Sequence, residues 1–145
     1  MKVYLAGPMD LCPDRGRGWR EDVAARLRAD GYHVFSPAEN PLECGPARER
    51  RAELKAAGDW DKFSEEMRAI RHMDLAQVAM SDLVIAHLGP PACGTWWELA
   101  HAKRLCKPVF IHAEQVNDWL YAELPWHRFY KDWDALLAAV SGVRV

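Results

Sequence analysis

Short apolar runs alternate along this chain with longer amphipathic segments. Lys2-Val3-Tyr4-Leu5-Ala6 reads as a strand stopped by Gly7-Pro8. From Trp19 to Ala29 the residues Trp19, Val23 and Leu27 recur every four positions, the spacing of one helix face, and Asp30-Gly31 closes the segment. Tyr32 to Phe35 is a second strand, ended by Ser36-Pro37. Charge dominates from Asn40 to Asp59. Ala47 to Ala57 suits a helix there, but Pro41, Gly45, Pro46 and Gly58 fragment the region, so a mobile, partly helical insertion is expected. Helical spacing returns from Asp61 to Met80, through Phe63, Met67, Ile70, Met73 and Val78. Asp82 to Leu88 is a third strand and Gly89 to Thr95 a loop. A helix opening at Trp96 follows, then a fourth strand from Pro108 to His112 and a last helix from Trp133 to Val140.

Strands that alternate with helices predict a parallel sheet covered on both faces. Right-handed crossovers leave few topologies. The expected fold is α/β: a flavodoxin-like (Rossmann-like) three-layer sandwich with four to five parallel strands, beginning in the order 2-1-3-4. One domain spanning residues 1–145 accommodates it. In that order the loops Gly7–Gly18 and Gly89–Thr95 face each other across a single crevice at the carboxyl edge of the sheet.

Composition narrows the function classes. The formal net charge is −2 and no long basic run occurs, which argues against a nucleic-acid polymer as partner. The apolar runs are strand-sized, too short to span a membrane. With a strand at the N-terminus rather than a leader, cytoplasmic residence is the expectation. The four cysteines form no C-x-x-C pair, and the six histidines lack metal-ligand spacing, so no metal is expected.

Glu98 is the leading candidate for chemistry. It is expected in the first turn of its helix, where a carboxylate is ordinarily explained by the helix dipole, worth about 0.3–1 kcal/mol. The same place lies at the carboxyl end of a central strand, where open sheets bind ligands and a fixed carboxylate can act as nucleophile or base. Asp74, late in the long helix, belongs either to a solvated face or beside Glu98. Tyr4 is either a core tyrosine or a hydroxyl that orients a carboxylate. Asp82 is expected to serve a turn or cap at the opposite end of the sheet. Arg15, Arg17 and Arg20 flank Gly16 and Gly18 at a helix start, which suits either a phosphate or a solvated basic loop. Of the seven tryptophans, Trp96 and Trp97 cannot both enter one core, leaving one to stack on a base or a neighbouring subunit. Trp119, Trp126 and Trp133 are open to the same two readings.

Four blocks stand in a familiar order: Tyr4-Leu5-Ala6-Gly7-Pro8-Met9, then Met73-Asp74-Leu75 with Ser81-Asp82-Leu83-Val84-Ile85, then Gly94-Thr95-Trp96-Trp97-Glu98-Leu99-Ala100-His101-Ala102, then Lys107-Pro108-Val109. The set resembles the nucleoside 2-deoxyribosyltransferase superfamily. The resemblance implies a flavodoxin-like fold, nucleoside or nucleotide substrates, no cofactor, and a homodimer or higher homo-oligomer with shared sites. It implies Glu98 as nucleophile, Tyr4 as the residue orienting it, and Asp74 as an acid near the leaving base. Gly7, Pro8, Met9, Gly94 and Thr95 fall in the substrate-binding blocks, and Asn117 matches an asparagine contributed by a neighbouring subunit. The transferases usually carry an aspartate six residues before the nucleophile; here that position is Ala92. The related nucleoside 5′-monophosphate N-glycosidases also lack it and bind phosphate at the loop after the first strand, which here holds Arg15 and Arg17.

Overall fold

The computed structural model describes residues 1–114 and 128–143. Five parallel strands form one sheet: β1 (Lys2–Ala6), β2 (His33–Phe35), β3 (Leu83–Leu88), β4 (Val109–Ala113) and β5 (Arg128–Tyr130). Their order is β2-β1-β3-β4-β5, so the expected 2-1-3-4 arrangement holds and β5 extends it. The fold is the flavodoxin-like three-layer sandwich.

Side-chain alternation divides the core into two layers. Val3 and Leu5 of β1 join Leu83, Ile85 and Phe110 on one face. There they meet α1 (Arg17–Ala29) through Val23, Ala24 and Leu27. The last helix covers the same face through Leu136, Leu137 and Val140. Tyr4, Ala6, Val84, Ala86, Val109 and Ile111 occupy the opposite face, packed against Val78, Leu99 and Ala102. A parallel sheet buried on both faces needs such apolar runs. Asp82 acts structurally, as expected: its carboxylate accepts the Lys2 amide at 2.6 Å and its own amide donates to the Lys2 carbonyl at 2.8 Å, tying β1 to the start of β3.

The charged region after β2 departs from expectation. Two 3-10 turns, Pro37–Glu39 and Pro41–Glu43, lead into a continuous helix, α2 (Gly45–Ala57). Pro46 sits in its first turn, where the missing N–H costs no helical hydrogen bond, and Gly58 ends it in the left-handed conformation at φ 71°. The residues read as breakers are therefore helix boundaries. Arg51 of α2 donates to the Leu42 carbonyl and to Glu43, anchoring α2 to the turn before it. α3 (Trp60–Met80) follows, capped by Asp59, whose carboxylate accepts the Lys62 amide. α4 is Cys93–Arg104 and α5 is Trp133–Ser141. No helix among the described residues is long and apolar enough to cross a membrane.

Candidate active site

At the carboxyl edge of the sheet, on the α3–α4 side, lies a cavity of about 650 Å³. The loop after β1 contributes Gly7, Met9, Asp10, Leu11 and Arg15, and the loop after β3 contributes Pro91 and Ala92. The two loops thus face one crevice, as the strand order requires. The first residues of α4, including Gly94, Thr95, Trp97 and Glu98, form one wall, and α3 forms another from Ser64 to Leu75.

α4 begins at Cys93, three residues earlier than expected from sequence, because Cys93, Gly94 and Thr95 are already helical. Glu98 therefore lies in the second turn, and the first turn contains no acid. Helix-dipole stabilisation, which fades beyond the first turn, does not account for it. The position turns Glu98 inward, leaving it 8% exposed. Tyr4 lies inside β1 with its ring wholly buried, and its hydroxyl donates to Glu98 Oε1 at 2.8 Å. Glu98 Oε2 is buried and has no hydrogen-bond partner among the described residues. One oxygen is held and the other is unengaged in the wall of the cavity.

Asp74 reaches the same cavity from α3, half-buried rather than solvated. The Asn40 side-chain amide donates to its carboxylate at 3.4 Å. Burial pushes the Asp74 carboxyl up to about 6, with the negative charge of Glu43 adding to the effect and the Asn40 bond opposing it. Burial pushes Glu98 further, to about 8; the Tyr4 hydrogen bond and the charge of Arg20 hold it down, while Asp74 raises it. The Tyr4 hydroxyl is pushed well above its usual value by burial and by the charge of Glu98. Two carboxyls with separated affinities and one locked phenol suit a site where one acid reacts and another moves a proton.

The remaining candidates divide. Met9, Gly7, Gly94 and Thr95 line the cavity; Pro8 is buried behind it. Arg17 does not line it: its side chain is exposed and donates to Cys44 Sγ at 3.5 Å, because the α1 turn that starts there points it outward. Arg15 takes the inward place, with left-handed backbone at φ 56°, but it is already paired with Glu43 at 3.2 Å and Asp10 at 3.5 Å. Arg20 turns into the protein instead of toward a ligand. Trp96 and Trp97 are both exposed, and Trp97 also borders the cavity. Trp19 and Trp133 stack on each other across the opposite face of the sheet, and His112 stacks on Trp133 with ring centroids 4.1 Å apart. Asn117, Trp119 and Trp126 lie outside the described residues. Among the described residues no group of three or more His, Cys, Asp or Glu is placed to hold a metal ion.

Several lining residues escaped sequence reasoning. Arg68 and Arg71 stand on the α3 wall, and neither forms an ion pair among the described residues. Their three-residue spacing ahead of Asp74 is a legible helix-face signal. Asn40 and Glu43 carried no such signal, since their role depends on how the 3-10 turns fold back over α3.

Comparison with known proteins agrees with this geometry. The sequence profile described as nucleoside 2-deoxyribosyltransferase matches residues 3–132. A search of curated proteins finds no match. Among solved structures, the 2-deoxyribosyltransferase of the psychrotolerant bacterium Bacillus psychrosaccharolyticus superposes with a TM-score of 0.64 at 23% identity, over 99% of this chain and 93% of that one. The CMP N-glycosidase of Clostridium botulinum superposes with a TM-score of 0.59 at 18% identity, over 97% of this chain and 98% of that one. At those identities the likeness establishes the fold, and the profile match over most of the chain establishes the kinship: the chain belongs to the nucleoside 2-deoxyribosyltransferase family.

Proposed function

We propose that this protein cleaves the N-glycosidic bond of 2′-deoxynucleosides and passes the sugar to a second base through a covalent intermediate on Glu98. The observation that carries this reading is the disposition of one carboxylate: Oε1 fixed by Tyr4 and Oε2 without a partner in the cavity wall. Oε2 attacks C1′ as the C1′–N bond breaks, and the bond's electron pair leaves with the base. Asp74 protonates the departing base, which otherwise leaves poorly. The sugar passes through oxocarbenium character, as in glycoside hydrolysis. A second base then attacks C1′ and releases Glu98, so two displacements give net retention.

Incubation of the protein with a 2′-deoxynucleoside and a different free base tests the reading. A new nucleoside is expected. Glu98→Ala is expected to lower the rate by at least about a thousandfold while leaving the circular dichroism spectrum unchanged. An active Glu98→Ala variant overturns the assignment.

A second reading is hydrolysis of a nucleoside 5′-monophosphate at the same carboxylate, with water attacking the intermediate. Two features support it: Ala92 lines the cavity where the transferases usually have an aspartate, and the α3 wall presents two arginines that can meet a phosphate. On this reading Arg68→Ala with Arg71→Ala raises KM for the monophosphate by about 10–100-fold and leaves KM for the nucleoside unchanged. Equal effects on both substrates remove the support the arginines give.

A further inference from the structure

Arg20 is the most deeply buried cation in the described chain, at 1% exposure, and nothing assigned so far requires it there. A guanidinium in such a place costs several kcal/mol of desolvation unless its donors and its charge are matched. One loop engages both terminal nitrogens, while Nε is buried without a hydrogen-bond partner among the described residues. Nη2 donates to the Gly7 carbonyl at 2.7 Å, and Nη1 donates to the Gly16 carbonyl at 2.9 Å and the Pro8 carbonyl at 3.4 Å. The two ends of the β1–α1 loop are thereby held by one planar group. Trp19 backs it from the other side, with the guanidinium carbon 4.6 Å from the ring centroid. Trp19 in turn stacks on Trp133, which stacks on His112.

Among the described residues no carboxylate forms an ion pair with Arg20. Its charge is instead felt by the reacting groups: Glu98 on α4, Asp74 on α3 and Tyr4 on β1. Cys12 and Asp14 of the loop face it as well. Beside Asp74 stand Glu43 and Asn40, from the 3-10 turns and their junction, the first adding negative charge and the second donating a hydrogen bond. Among the described residues, Arg20 is the cation whose charge bears on both carboxyls.

We infer that Arg20 is a positioning residue for the glycosyl-transfer site: it clamps the β1–α1 loop against the cavity through three carbonyls. It touches neither substrate nor reacting atom. The clamp needs the planar fork and not the charge alone, so substitution separates the two. Arg20→Lys keeps the charge but cannot span three carbonyls. Arg20→Met removes both.

The inference rests on Glu98 being the reacting carboxylate, so its test includes a readout that needs no turnover. The Glu98 carboxyl is followed by carbon-13 NMR against pH, with Glu98→Gln to assign the signal. Arg20→Met, which removes all three carbonyl contacts, is expected to lower kcat/KM at least as far as Arg20→Lys does. Arg20→Lys is expected to leave the titration in place and to lower kcat/KM by about 10–100-fold through the loosened loop. A Glu98 titration that moves in Arg20→Lys assigns the loss to charge and overturns the inference, as does wild-type kcat/KM in Arg20→Lys or in folded Arg20→Met. Should Arg20→Met fail to fold, Arg20→Lys decides: an unmoved titration with lowered kcat/KM supports the clamp, and any other outcome overturns it. Loss of activity in Glu98→Ala is a separate result, so the functional reading and this inference fail independently.

Discussion

Glu98 and Asp74 hold their protons in the opposite order from the one the proposed reaction needs. Attack requires Glu98 ionised and Asp74 protonated, yet Glu98 at about 8 is the more basic and Asp74 at about 6 the more acidic. The single proton of the pair therefore rests mainly on Glu98, and the reacting arrangement is a minor form of the same charge state. Below pH 6 both are protonated and the nucleophile is lost; above pH 8 both are ionised and the acid is lost. A bell-shaped kcat/KM is expected, with limbs near 6 and 8 and a maximum between them. A profile flat from pH 5 to pH 9 contradicts the paired roles. The Tyr4 hydroxyl does not titrate in this range, since burial keeps it protonated, so it donates to Glu98 throughout.

At the level of elements, the strand-to-helix junctions do the positioning, and they were unevenly legible. Short apolar runs located β1 to β4, and helical apolar spacing located the bodies of α1 and α3, because burial dictates those positions residue by residue. Boundaries were harder. The α4 start was misplaced because Cys93-Gly94-Thr95 looks like loop chemistry, and α2 was fragmented because Pro and Gly mark helix ends as readily as helix breaks. Glu98 and Tyr4 were recoverable because a buried polar pair sits on periodic elements. Asn40 and Glu43 were not, because turns carry no period. Gly7 tests the junction after β1. A Cβ there would meet Trp19 Cζ2 at 2.8 Å and the His87 carbonyl at 3.1 Å, and the carbonyl belongs to the sheet and cannot yield. Gly7→Ala is expected to cost about 1–3 kcal/mol in denaturant unfolding. Gly94→Ala, whose Cβ would meet nothing within 4 Å, is expected to be neutral or slightly stabilising. Equal stabilities for the two variants contradict this packing.

For the molecule as a whole, the site is a liability that pH exposes. Both carboxyls bind protons more tightly folded than unfolded, so stability is greatest below their unfolded values and falls as pH rises through 6 and then 8. Glu98→Gln keeps the shape and can still accept the Tyr4 hydrogen bond. It is expected to match the wild type near pH 4 and to be more stable by the order of 1–2 kcal/mol near pH 8, read from chemical denaturation at both values. A gap that widens toward acid reverses the sign and refutes buried ionisation as its cause. The Tyr4–Glu98 bond itself joins residues 94 apart in sequence, across the β1–β3 pairing at the centre of the sheet. Closing a chain segment of that length costs about 4 kcal/mol of entropy, repaid only when β3 has taken its place beside β1. During synthesis the first strand must therefore wait, unpaired on that side, until the third strand and the helix after it have left the ribosome. On the proposed mechanism, a nascent chain cut off before Cys93 carries the phenol and the proton donor but no nucleophile, so any reactivity toward a nucleoside arrives only once the central sheet has assembled.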